Sequence, residues 1–142
     1  MGKYTTERCL ALGPRVIAEV CEEVGLEVNL VDEAEGFEVL SHNLLAVGNS
    51  DAVIFGCGGD LGELSPTSNW LLGYAAGTHK TLIGWLKEEE QENIRSWKKT
   101  HPMLVECAYV VGSRKALAHA IETIRDAGRA VTEEAKKKGA PH

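Results

Sequence analysis

The chain has 142 residues, of which 44% are hydrophobic and 25% charged, and a formal net charge of −6. That length and balance fit one compact domain, which buries roughly 70% of its unfolded surface. The acidic balance argues against general nucleic-acid binding, which rests on clustered Lys and Arg neutralising phosphates, so a small ligand or a protein partner is expected instead.

No apolar run approaches the ~20 residues of a spanning helix, and the start, MGKYTTERCLALGP, lacks the basic, apolar and small-residue order of a signal peptide. No membrane association and a cytoplasmic location are expected. Cys9, Cys21, Cys57 and Cys107 are widely separated and form no CxxC pair, which suggests neither a zinc site nor a disulfide framework but free, mostly buried thiols. No metal and no cofactor is expected.

Along the chain, apolar runs alternate with amphipathic stretches, the order of a parallel sheet covered by helices. Cys9 to Leu12 reads as a short first strand before Gly13 and Pro14, with a wholly helical start as the alternative. Arg15 to Val24 places Val16, Ile17, Val20, Cys21 and Val24 at helical spacing, and Gly25 ends that helix. Glu27 to Val31 is a second strand, Phe37 to Val47 a second helix, and Ala52 to Gly56 (AVIFG) a buried central strand.

Ser65 then opens a helix through Gly77, SPTSNWLLGYAAG: Ser65 is a good N-cap, Pro66 a preferred first helical residue, and Ser68 a second hydroxyl near free backbone N–H groups. Thr81 to Leu86 (TLIGWL) is the fourth strand, Glu88 to Trp97 a polar helix or lid segment, and Ala108 to Val111 the fifth strand. Ser113 caps a long helix through Arg129, with Leu117, Ala120, Ile121 and Ile124 facing the sheet, and the tail from residue 130 to 142 extends or frays it.

Five strands alternating with helices predict a flavodoxin-like doubly wound α/β sheet with helices on both faces, in a single domain over residues 1–142. Ligands of such sheets sit beyond the carboxyl ends of the central strands. The loops predicted at that edge are Gly13 to Pro14, Gly56 to Ser65 and Gly112 to Arg114. The helix opening at Ser65 is an anion-attracting terminus, because unpaired N–H groups and the helix dipole both point positive charge outward.

The stretch SDAVIFGCGGDLGELSPTSNWLLGYAAGTHKTLIGW resembles the nucleoside 2-deoxyribosyltransferases and the related nucleoside 5′-monophosphate N-glycosidases. An apolar strand, a loop, a WELGYA-like helix (here Trp70, Leu71, Leu72, Gly73, Tyr74, Ala75) and a further strand carry the likeness. CLALGP upstream is similar to the family's YLAGP, and HPMLVECAYVVGSRKAL downstream to its closing NPM segment, last strand and helix. The resemblance implies a ligand that is a nucleoside, a nucleotide or a related ribosyl compound, and a homodimer.

In that family a helix glutamate attacks the anomeric carbon and forms a covalent sugar ester, since an oxocarbenium-like centre needs a nucleophile that is anionic at neutral pH. The matching residue here is Leu71, which cannot do that work. A family aspartate in a DLxxI helix corresponds to Asn43, and another in a DSGT loop to Ser65. Asn43 still suits a sugar hydroxyl, and Ser65 is similar to the phosphate-binding serine of the monophosphate-cleaving branch.

The resemblance therefore implies a ligand set of Asn43, the close-approaching glycines Gly58, Gly59 and Gly62, and Ser65, Thr67, Ser68 and Leu71, without the standard nucleophile. Asp60 and Glu63, just before the signature helix, are the catalytic alternatives, standing either as relocated carboxylates or as solvated loop acids. A scaffold that uses the fold without a ligand is a third reading.

GCGGDLG lacks the GxGxxG and GKS/GKT spacing of phosphate-binding loops and reads as a tight strand-to-helix turn. It is also similar to the PGGxGTxxE loop of cytokinin-activating phosphoribohydrolases, without its PGG or its glycine spacing. His42, His79 and His101 are acid/base candidates or surface residues, and Cys57 is a reactive thiol or a small buried side chain. Arg114 and Lys115 open the last helix, where the dipole disfavours cations, which points to an anion or an acidic partner or else to plain solvation. Trp70 is expected in the core, and Trp97 as the stacking or interface residue.

Overall fold

A computed structural model describes residues 6–31, 37–57, 65–86, 107 and 109–137. Its elements in chain order are β1 (Arg8–Leu12), α1 (Arg15–Val24), β2 (Glu27–Leu30), α2 (Phe37–Gly48), β3 (Ala52–Cys57), α3 (Pro66–Gly77), β4 (Thr81–Leu86), β5 (Tyr109–Val111) and α4 (Arg114–Lys137). The strands form one sheet in the order β2-β1-β3-β4-β5, every neighbouring pair parallel. This is the flavodoxin-like arrangement, with its crossover point between β1 and β3.

Both faces of the sheet are covered, so its central strands are apolar without alternation. Cys9, Ala11, Ala52, Ile54, Ile83, Trp85 and Val111 pack toward α1 and α4, against Ile17, Val20, Leu117 and Ile121. Leu10, Leu12, Val53, Phe55 and Leu82 pack the other way, toward α2 and α3, against Ala46, Val47, Leu71, Leu72 and Ala75. Successive strand residues thus serve two separate cores.

The short first segment is a strand and not a helix. Its register, Cys9 beside Val28 and Ala52, gives it partners on both sides, which four residues before Gly-Pro would not gain alone. At its start the Asp51 carboxylate accepts the Glu7 and Arg8 amides, both at 3.0 Å, while the Asp51 N–H donates to the Arg8 carbonyl at 2.9 Å. β2 stops at Leu30, one residue short of the expected Val31.

Helix ends follow local chemistry. Gly25 takes a left-handed conformation (φ 94°), which lets its N–H reach the Glu22 carbonyl and the Leu26 N–H reach that of Cys21. α3 closes in the same way, but with His79 (φ 60°) in the position glycine favours; the His79 N–H donates to Ala76 and the Lys80 N–H to Ala75. Ser113 caps α4 as expected, its Oγ accepting the Ala116 N–H at 3.1 Å.

α4 runs to Lys137, so the tail extends the helix beyond Arg129, one of the two expected alternatives. Besides its apolar packing on the sheet, it is held by cationic side chains. Arg114 pairs with Glu19 (3.8 Å) and Glu23 of α1, Arg125 donates to the Val24 carbonyl, and Arg129 grips Glu7 through two bonds of 2.6 and 2.7 Å. The segment expected as a polar helix or lid, Glu88 to Trp97, lies outside the described residues, as do Ala108 and the last five residues.

Candidate functional site

Because all five strands are parallel, every connecting helix must run back from the carboxyl edge of the sheet to the amino edge. The first turns of α1, α2, α3 and α4 therefore gather at the carboxyl edge, which is where open α/β sheets take their ligands. The topology places the Gly13–Pro14, Ser65 and Gly112–Arg114 segments at this edge, as expected.

The α3 terminus is built as its sequence dictates. Ser65 is extended (φ −62°, ψ 159°), its Oγ accepts the Ser68 N–H at 3.1 Å, and its carbonyl accepts the Asn69 N–H at 2.9 Å. Pro66 contributes no N–H. The cap thus uses the Ser68 amide and leaves the Thr67 amide as the first-turn donor it does not engage. Ser65 and Thr67 are half-buried, while Ser68 is buried.

Asn43 lies in the second turn of α2 and is 2% exposed. Leu71 has no exposed surface and belongs to the apolar cluster of Leu10, Leu12, Val53, Phe55 and Leu82. Gly58, Gly59, Asp60, Gly62 and Glu63 lie outside the described residues.

Trp70 departs from expectation. It is 51% exposed and stacks on Tyr74, also partly exposed, with ring centroids 6.1 Å apart and planes 6° from parallel. The inward face of α3 is Ser68, Leu71, Leu72 and Ala75, and position 70 falls nearly opposite it on a helix of 3.6 residues per turn. Trp97 lies outside the described residues, whereas Trp85 is core, its indole N–H without an acceptor among the described residues.

A cleft of about 330 Å³ lies at the carboxyl ends of β1 and β2, lined by Ala11, Gly13, Pro14, Arg15, Glu19 and Leu30 among others. Gly13 turns the chain there with a φ of 105°, and Pro14 opens α1 without a side-chain cap. Sequence reasoning named the Gly13–Pro14 loop but not Arg15, Glu19 or Glu22, which also line the cleft. Arg15 pairs loosely with Glu19 at 3.9 Å.

The remaining candidates resolve into structural roles. The acidic partner implied by Arg114 is α1 itself, through Glu19 and Glu23. His42 and His79 are exposed, and among the described residues no cluster of three or more His, Cys, Asp or Glu is placed to hold a metal. Cys9 and Cys21 are buried free thiols and Cys107 is a half-buried one. A hydrogen bond with Cys21, together with burial, pushes the Cys9 thiol far above its ordinary range, so Cys9 is a packing residue and not a nucleophile. No helix among the described residues is long and apolar enough to cross a membrane.

A parallel five-stranded sheet of this order, with its helix N-termini at one edge, defines a flavodoxin-like α/β protein. Solved structures agree. A conserved protein from Enterococcus faecalis V583 superposes with a TM-score of 0.59 at 12% identity, covering 84% of this chain and 99% of its own. The CMP N-glycosidase BcmB of Clostridium botulinum gives 0.57 at 18% identity over 82% and 98%, and a response regulator receiver domain from Clostridium thermocellum 0.52 at 16% over 87% and 98%. At these identities the likeness is one of fold. No family model matches the chain, and no curated protein matches it by sequence.

Proposed function

We propose that this protein binds a nucleoside, nucleotide or related ribosyl ligand at the carboxyl edge of its sheet, and that it does so without the helix-glutamate chemistry of the deoxyribosyltransferase family. The observation that carries the second half is Leu71: where that family holds its nucleophile, this chain has a fully buried aliphatic residue. The first half draws support from the Ser65-capped terminus of α3, the WLLGYA helix and the structural likeness to a CMP N-glycosidase.

In this reading the Thr67 amide and the hydroxyls of Ser65 and Thr67 receive an anionic group, aided by the α3 dipole. Asn43 supplies an amide to the floor beneath the sugar, and the glycines from 58 to 62 allow the loop to approach closely. The cleft at Gly13 to Arg15 is at the lower end of the ~300–1,000 Å³ typical of small-molecule sites and suits the remainder of a nucleoside.

Titration with CMP, other 5′-monophosphates and nucleosides tests this, read by thermal shift, alongside chromatography for released base. Native-state binding must stabilise the fold, so a saturable rise in Tm with no base release is expected. Absence of any shift at millimolar ligand overturns the binding claim. Base release that Glu63→Gln or Asp60→Asn abolishes while binding survives overturns the non-catalytic half and assigns the chemistry to a relocated carboxylate.

A further inference from the structure

We infer that the open edge of β2, with the groove between it and α2, docks an extended, lysine- or arginine-bearing segment of another protein, which joins the sheet as an added strand. The inference goes beyond ligand binding and uses neither Leu71 nor the Ser65 terminus. β2 ends the sheet, and among the described residues it pairs with β1 alone. The Glu27 N–H donates to the Glu7 carbonyl at 3.0 Å, which turns the backbone groups of Glu27, and with a period of two those of Asn29, toward β1. Val28 and Leu30 therefore turn theirs outward. Edge strands are commonly protected by lysine or proline, and EVNL holds neither.

The two faces of this edge call for different side chains. On the α2 side, where the Asn29 amide donates to Ser50 Oγ, a groove of about 480 Å³ is lined by Val28, Leu30, His42, Leu45, Ala46 and Asn49. Leu45 is 65% exposed and Leu30 61%, so both hold apolar surface that an aliphatic side chain on an added strand would cover. On the α1 side, Leu30 stands opposite Ala11 and shares a cleft with Glu19 and Glu22. Successive strand residues point to opposite faces, so the occupant alternates an aliphatic residue toward Leu45 with a cation toward Glu22.

Charge selects the partner. Residues 16 to 79 hold 11 Asp and Glu and no Lys or Arg, while the rest of the chain is net positive. That stretch contains β2 and α2 whole. Arg8 and Arg15, just before it, are engaged with Glu27 at 3.4 Å and Glu19 at 3.9 Å. A cationic segment is drawn to this end of the sheet and an acidic one repelled. The β2 edge of a second copy carries the same acids, so charge opposes self-pairing here.

Fluorescence anisotropy on the full chain, with labelled peptides of about seven residues that alternate lysine with valine, leucine or isoleucine, tests the inference alongside amide hydrogen exchange. Saturable binding is expected, with slowed exchange at Val28 and Leu30 and an affinity that falls as salt rises from about 50 to 500 mM. Leu45→Gln weakens binding about tenfold and Glu22→Gln about two- to fivefold, while both variants keep the wild-type melt because these side chains are exposed. Peptides with glutamate in place of lysine, or with a central proline, do not bind. No binding at millimolar peptide, binding that the proline peptide matches, or unchanged exchange at Val28 and Leu30 overturns the proposal. Protection of those two amides that grows with protein concentration in the absence of peptide assigns the edge to self-pairing and overturns it too. Nucleotide titration is scored separately, so failure here leaves the ligand result standing.

Discussion

Leu71 is a core residue at a position where the resembling family holds its nucleophile. In the family that this helix resembles, the residue there must reach a sugar; here it contributes a fully buried leucine to the core between the sheet and α3. Leu71→Glu therefore does not restore a nucleophile. It places a carboxylate among Leu10, Val53, Phe55 and Leu82, and a destabilisation of about 3 kcal/mol or more is expected from urea unfolding, with no gain in base release. A folded, base-releasing variant would refute this account of the site. The substitution itself was legible in the sequence, but the direction of the side chain was not.

Elements differ in how plainly the sequence declares them. Val-Ile-Phe in β3 and Leu-Ile in β4 are runs buried on both faces, while Gly25 marks the end of α1 and Ser65–Pro66 the start of α3. α3 is different: Trp70, Leu71, Leu72, Tyr74 and Ala75 are apolar nearly all round the helix, so no periodicity says which face turns inward. Only the sheet beneath decides, and it selects Leu71 and Leu72 over the larger Trp70. α4 continues from Arg129 to Lys137 as one of the two alternatives for the tail, since nothing between them breaks a helix.

The end of α3 carries a small local strain at His79, whose left-handed backbone costs about 1 kcal/mol relative to glycine. His79→Gly should raise the unfolding free energy by about that amount. Because His79 is exposed and its backbone bonds are retained, ligand titrations should be unchanged.

For the whole molecule, α4 is fastened to β1 and α1 by arginines, which ties stability to pH. The hydrogen bonds from Arg129 hold the Glu7 carboxyl below its ordinary value of 4.5. A carboxyl whose folded pKa is depressed contributes stability that is fully present above its unfolded pKa and lost as pH falls through the folded one. Glu7→Gln should therefore lower the melting temperature slightly at neutral pH, by a margin that closes in acid once Glu7 itself is protonated. The effect is small because both side chains are about half exposed and solvent screens the pair. A margin that widened in acid would reverse the assignment.

The overall architecture was the most legible level, because the alternation of apolar runs and amphipathic stretches admits few topologies once crossovers are parallel. The carboxyl edge itself was legible from the order of the elements, whereas a candidate constellation on it was less so. Asn43, Ser65 and Leu71 could be named from the sequence, but whether each faces ligand or core depends on packing that no local pattern encodes.

The Asp51 clasp bears on the order in which this chain can assemble. β1 precedes the other described strands of the sheet, yet the amides at its start wait for a carboxylate 43 and 44 residues further along, and its inner neighbour β3 begins only at Ala52. A nascent chain consequently cannot complete β1 early. Closure of the sheet is deferred until the third strand arrives, a dependence on distant partners that slows folding relative to helical proteins of similar size.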